Sequence, residues 1–75
     1  MQAIKTKYLG PTNLRGARIK ATCFAGSLTI PYLYHLSTND MHREAAFELI
    51  EKLGWNPKVL HTGELHDCYV HVMEF

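Results

Sequence analysis

Between Ala17 and Tyr34 the chain alternates polar and apolar residues in two runs, broken by the small residues Ala25-Gly26. Period-two alternation puts every second side chain on one face of a strand, so the stretch reads as a β-hairpin. A two-residue loop at Ala25-Gly26 sets Phe24 opposite Ser27, Thr22 opposite Thr29 and Lys20 opposite Pro31. One face then carries Arg18, Lys20, Thr22, Phe24, Ser27 and Thr29. The other, apolar face carries Ala17, Ile19, Ala21, Cys23, Leu28, Ile30 and Tyr32 and should meet the core. Ala25 is a poor residue for the positive φ of a type I′ turn, so a bulge or a longer loop that exchanges the faces is the competing arrangement.

The other elements follow from the same signals. Gln2 to Leu9 alternates Ile4, Thr6 and Tyr8 against Lys5 and Lys7, and the stretch Gly10 to Gly16 breaks it, giving a first strand and a loop. If that strand pairs antiparallel with Ala17 to Phe24 at an even offset, Lys5 and Lys7 join Arg18 and Lys20 on one face. Pro31 marks the third strand as an edge or a bend, and Tyr32 and Tyr34 read as packing residues with wet hydroxyls. A helix is expected from Asp40 to Leu53, with Ser37, Thr38 and Asn39 as cap candidates and Gly54 as its C-terminal stop. Its core stripe is His42, Ala45, Ala46, Leu49, Ile50 and Leu53, with His42 bonding a backbone carbonyl at the core's edge. Arg43, Glu44, Phe47, Glu48 and Glu51 point away. Phe47 is expected to be covered by the C-terminal segment, the alternative being an exposed partner contact. Strands at Lys58–Thr62 and Cys68–Phe75 flank a loop over Gly63–Asp67. The expected fold is therefore α+β: one domain over residues 1–75, two layers, an antiparallel sheet in the order β-β-β-α-β-β with one helix on one face.

With 75 residues the core is small, and a homodimer would enlarge it. No run reaches the roughly 18 apolar residues of a membrane span, and the N-terminus lacks the positive-then-apolar pattern of an export signal. A cytoplasmic protein without a membrane partner is expected, with Cys23 and Cys68 reduced. The net charge of +1 hides an asymmetry. Residues 1–39 hold Lys5, Lys7, Arg15, Arg18 and Lys20 and no acid, whereas residues 40–75 hold seven acids against Arg43, Lys52 and Lys58. Either the two halves attract each other across the fold or the chain presents a basic surface to a partner.

Sites for chemistry are few. His61, His66 and His71 recur every five residues near Cys68, but no tight ligand pair accompanies them and alternation puts His71 on the face opposite Cys68. No metal or other cofactor is expected, and the histidines should face solvent. The chain has no Gly-rich phosphate loop, nucleophile elbow or His-Glu-x-x-His, and in His66-Asp67-Cys68 neighbouring side chains on a strand diverge, so no enzyme is expected. For nucleic acid the favourable features are Lys5, Lys7, Arg18 and Lys20, the loop Thr12 to Gly16 with Arg15, and Phe24 as a stacking surface.

The runs Gln2-Ala3-Ile4-Lys5-Thr6-Lys7-Tyr8-Leu9-Gly10-Pro11-Thr12-Asn13, Arg15-Gly16-Ala17-Arg18-Ile19-Lys20-Ala21, Ala25-Gly26-Ser27 and Pro31-Tyr32 resemble a group of short unannotated bacterial proteins. With His42-Arg43, Ala45-Ala46 and Lys52-Leu53-Gly54-Trp55 the resemblance covers most of the chain. Such proteins are often carried on prophages, plasmids and integrative elements. The resemblance transfers no site residue and implies only an accessory role. Two functions are expected from these features. The first is a non-enzymatic module binding nucleic acid or another polyanion through Lys5, Lys7, Arg15, Arg18, Lys20 and Phe24. The alternative is an inhibitor or regulator of a host protein, for example a defence complex, acting through Glu44, Phe47, Glu48 and Glu51 as an acidic helix face.

Overall fold

The computed structural model describes residues 3–14, 16–32 and 35–75. Its elements are β1 (Ala3–Leu9), β2 (Arg18–Cys23), β3 (Gly26–Pro31), α1 (Thr38–Leu53), β4 (Val59–Glu64) and β5 (Tyr69–Glu74). The fold is α+β, with one antiparallel five-stranded sheet and a single helix in the expected succession. In space the strands run β3-β2-β1-β5-β4, because the last strand lies beside the first. β1 is thus central and β3 and β4 are edges. Pro31 ends the edge strand β3, where a missing N–H is tolerated.

The hairpin turns at Phe24-Ala25 and not at Ala25-Gly26. Cys23 pairs with Gly26, Thr22 with Ser27, Lys20 with Thr29 and Arg18 with Pro31. Every partner on β3 is displaced by two positions from the expected register, and because side chains alternate with period two, the two faces are unchanged. Neither turn residue takes a positive φ; among the described residues only Gly54 does. The poor fit of alanine to a left-handed turn position is met by a turn that does not require one.

α1 starts at Thr38, two residues before the expected Asp40, because the Ser37 hydroxyl accepts from the Asp40 N–H at 3.2 Å and so closes the first turn. It stops at Gly54, whose φ of 73° lets Gly54 and Trp55 donate to the carbonyls of Glu51 and Ile50. The buried face contains His42, Ala45, Ala46, Leu49 and Ile50 as expected and also Met41, fully buried one turn before Ala45. With Ile4, Ile19, Ala21, Leu60 and Met73 these residues form the core. Alanines at 21, 45 and 46 let the helix lie close to β1, β2 and β3. The helix crosses one end of the sheet and barely reaches β4, so Phe47 is 44% exposed: the C-terminal segment enters the sheet and does not cover it. β4 runs on to Glu64, beyond the expected Thr62. Cys23 and Cys68 are free thiols, and among the described residues no helix is long and apolar enough to cross a membrane.

Candidate nucleic-acid interface

The register between β1 and β2 assembles the basic stripe. Lys7 lies directly opposite Lys20, Lys5 opposite Thr22 and Leu9 opposite Arg18. Their alternates Ile4, Thr6, Ile19 and Ala21 are buried against α1, which leaves Lys5, Lys7, Arg18 and Lys20 on the open face. The even offset between the two strands is therefore observed. Like charges facing one another across a strand pair cost up to about 1 kcal/mol. The ion pair among the described residues, His61 Nε2 to Glu74 Oε2 at 2.8 Å, lies on β4 and β5 and neutralises none of the four. On that side the open face carries, among the described residues, Val59, Val70 and Val72 with the His61–Glu74 pair and no lysine or arginine, so the stripe is two strands wide.

One hollow lies on the stripe and a second at its Arg18 end. One, of about 220 Å³, is walled by Lys5, Lys7, Leu9, Lys20 and Thr22. The other, of about 420 Å³, is walled by Gly16, Ala17, Arg18, Thr29, Ile30 and Pro31. Arg18 is half-buried, and its Nε is buried without a hydrogen-bond partner, a state that costs about 1 to 3 kcal/mol for a polar group left unpaired. Phe24 is not on a strand; it occupies the hairpin turn, two residues beyond Thr22, and is 80% exposed. In the loop before β2, Thr12 and Asn13 are exposed, and the Thr12 hydroxyl accepts from the Leu14 N–H at 3.3 Å. Arg15 lies outside the described residues, as does Tyr34.

The opposite face of the sheet holds a polar chain that the alternation of the sequence did not reveal. Arg43 Nη1 donates to Thr62 Oγ1 at 2.6 Å and to the Leu60 carbonyl at 3.1 Å. Thr62 Oγ1 is 3.0 Å from His71 Nδ1, His71 Nε2 is 2.9 Å from Thr6 Oγ1, and Thr6 Oγ1 is 2.7 Å from His42 Nδ1. His71 is fully buried, which corrects the expectation of solvent-facing histidines, and His42 bonds the Thr6 hydroxyl where a backbone carbonyl was expected. Burial pushes His71 down to about 4, helped by the charges of His42 and Arg43. Burial also lowers His42, opposed by hydrogen bonding at Thr6 and by the Glu64 carboxylate. The His42 ring stacks on Tyr69 at 4.1 Å, and burial and then Glu64 raise the Tyr69 phenol. One signal was available: Thr6 and His71 sit at the core-facing parity of their strands, beside Ile4 and Met73.

Of the residues placed on the acidic helix face, Phe47, Glu48 and Glu51 are exposed and Glu44 is half-buried; the Arg43 guanidinium lies 5.4 Å from the Phe47 ring centre. The histidines do not converge. His61 bonds Glu74, His66 is exposed in the loop before β5, and His71 belongs to the core. Among the described residues no three His, Cys, Asp or Glu side chains gather as a metal site. Comparison of the chain with family models, with curated proteins and with solved structures found no match.

Proposed function

We propose that the chain is a non-enzymatic interaction module, cytoplasmic, that binds nucleic acid or another polyanion through the basic half of its open sheet face. The observation that carries this reading is the direct opposition of Lys7 and Lys20, flanked by Lys5 and Arg18, with no carboxylate bonded to any of them among the described residues. A concentration of positive charge that the fold does not neutralise is relieved by an anionic partner. Phe24 adds a π-face at the hairpin tip. Carriage on a mobile element, with an accessory role such as DNA-associated regulation, belongs to the same proposal. The test is fluorescence anisotropy of labelled single- and double-stranded oligonucleotides at about 50 and 200 mM salt, where several phosphate contacts change affinity by orders of magnitude. Replacing both Lys7 and Lys20 with Ala should weaken binding to all sequences and lower the salt slope by roughly 0.9 per lost contact on duplex DNA. Unchanged binding overturns the proposal.

The exposure of Phe47 beside Glu48 and Glu51 favours a second reading, a regulator that binds a host protein through the helix. Phe47→Asp would abolish capture of that protein and leave oligonucleotide binding intact.

A further inference from the structure

The two hollows, one on the basic face and one at its Arg18 end, adjoin one another. Leu9, in the wall of the first, pairs with Arg18, in the wall of the second, and Lys20 of the first pairs with Thr29 of the second. Lys20 and Arg18 are two residues apart on the same face of β2, about 6.8 Å along the strand. Positive charge is therefore presented in two steps, three ammonium groups and then one guanidinium. Its Nε is buried out of a ligand's reach, which leaves the two terminal nitrogens of the guanidinium to meet an anion. The two terminal nitrogens of an arginine fork match two oxygens of one tetrahedral anion, which a lysine cannot do. None of the described open-face strand positions, from Ala3 and Lys5 on β1 to His61 on β4, is Phe, Tyr or Trp, so the strands lack the rings on which successive bases stack best.

We infer that the two hollows form one continuous seat for consecutive phosphate groups of a linear chain, Arg18 gripping one phosphate end-on through its terminal nitrogens while Lys5, Lys7 and Lys20 hold the next, without reading bases. The inference rests on the polyanion reading and names its ligand as a phosphodiester or polyphosphate chain. Thr22 and Thr29 lie beside the cations and can donate hydroxyls to phosphate oxygens.

The full chain is tested by displacing a labelled thymidine oligonucleotide with long-chain inorganic polyphosphate and, separately, with polyglutamate. Polyphosphate is expected to displace the probe at a phosphate concentration within about threefold of that needed with unlabelled oligonucleotide, since both offer the same groups. Polyglutamate should need far more. Arg18→Lys, which keeps the charge and loses the fork, should weaken both phosphate ligands by about tenfold; circular dichroism of the variant checks its fold, and Lys5→Gln, at an exposed position, provides a second loss that does not depend on Arg18. The inference is overturned if polyphosphate fails to displace the probe, if polyglutamate displaces it equally well, or if a folded Arg18→Lys variant binds like the wild type. An oligonucleotide that does not bind at about 50 mM salt overturns the polyanion reading as well; one that binds but is not displaced overturns this inference alone.

Discussion

At Thr6 a single hydroxyl meets two imidazoles, His42 and His71, from elements 36 and 65 residues away in the chain. Arg43 can only donate, so Thr62 accepts from it. With the Thr62 proton directed to His71 Nδ1, His71 Nε2–H donates to Thr6 and the Thr6 hydroxyl donates to His42 Nδ1. In that arrangement each hydroxyl accepts once and donates once while both rings are neutral. Thr6→Val keeps the shape and strands a nitrogen on each ring, so unfolding in urea should show a loss of about 2 to 4 kcal/mol. A loss below 0.5 kcal/mol, which is about what a neutral surface change produces, would mean that the chain of hydrogen bonds does not hold the core together. The inward parity of Thr6 and of His71 is legible in the alternation of each strand. Their meeting is not, because nothing local to residues 3–9 or 69–74 says that these strands are neighbours.

Among the elements, the helix was the most legible, since its signals are local: a capping hydroxyl, a 3.6-residue apolar period and a glycine stop. Ser37 and Gly54 do the work expected of such residues, and Gly54→Ala, which forces a Cβ into the left-handed region at φ 73°, should cost about 1 kcal/mol by thermal or urea unfolding. Ser37→Ala should cost about as much, through the lost bond to the Asp40 N–H. The helix starts two residues before the expected Asp40 because three successive residues, Ser37, Thr38 and Asn39, can all cap, and only geometry selects one. The hairpin shows the opposite case. Its turn moved from Ala25-Gly26 to Phe24-Ala25, yet the basic and apolar faces stayed as read, because the pairing moved by an even number of residues. Phe24 is the residue that this change relocates, from the strand face to the tip.

For the whole molecule, the buried polar chain ties together β1, β4, β5 and α1 across the half of the sheet that the helix covers least. It also sets how stability responds to pH. His71 is held at about 4, against 6.5 for the free side chain, so below pH 6.5 the unfolded chain binds a proton that the folded protein refuses. Stability is then fully present above about pH 6.5 and is lost as pH falls toward 4, by up to about 3 kcal/mol from this residue, with His42 acting in the same direction. Urea midpoints measured between pH 7.5 and about pH 4 should fall accordingly, and His71→Gln should flatten the profile; a midpoint independent of pH would contradict the assignment of His71 as a buried neutral ring. On its own the sequence determined what depends on near neighbours: the α+β class, the succession of elements, the apolar and basic faces of each strand and the helix caps, because alternation, helical period and capping act over a few residues. The tertiary structure alone decided that the last strand pairs with the first, which side chains of opposite ends share a hydrogen bond, and that Phe47 is left uncovered, because such contacts are chosen by how whole elements pack and not by the residues beside them.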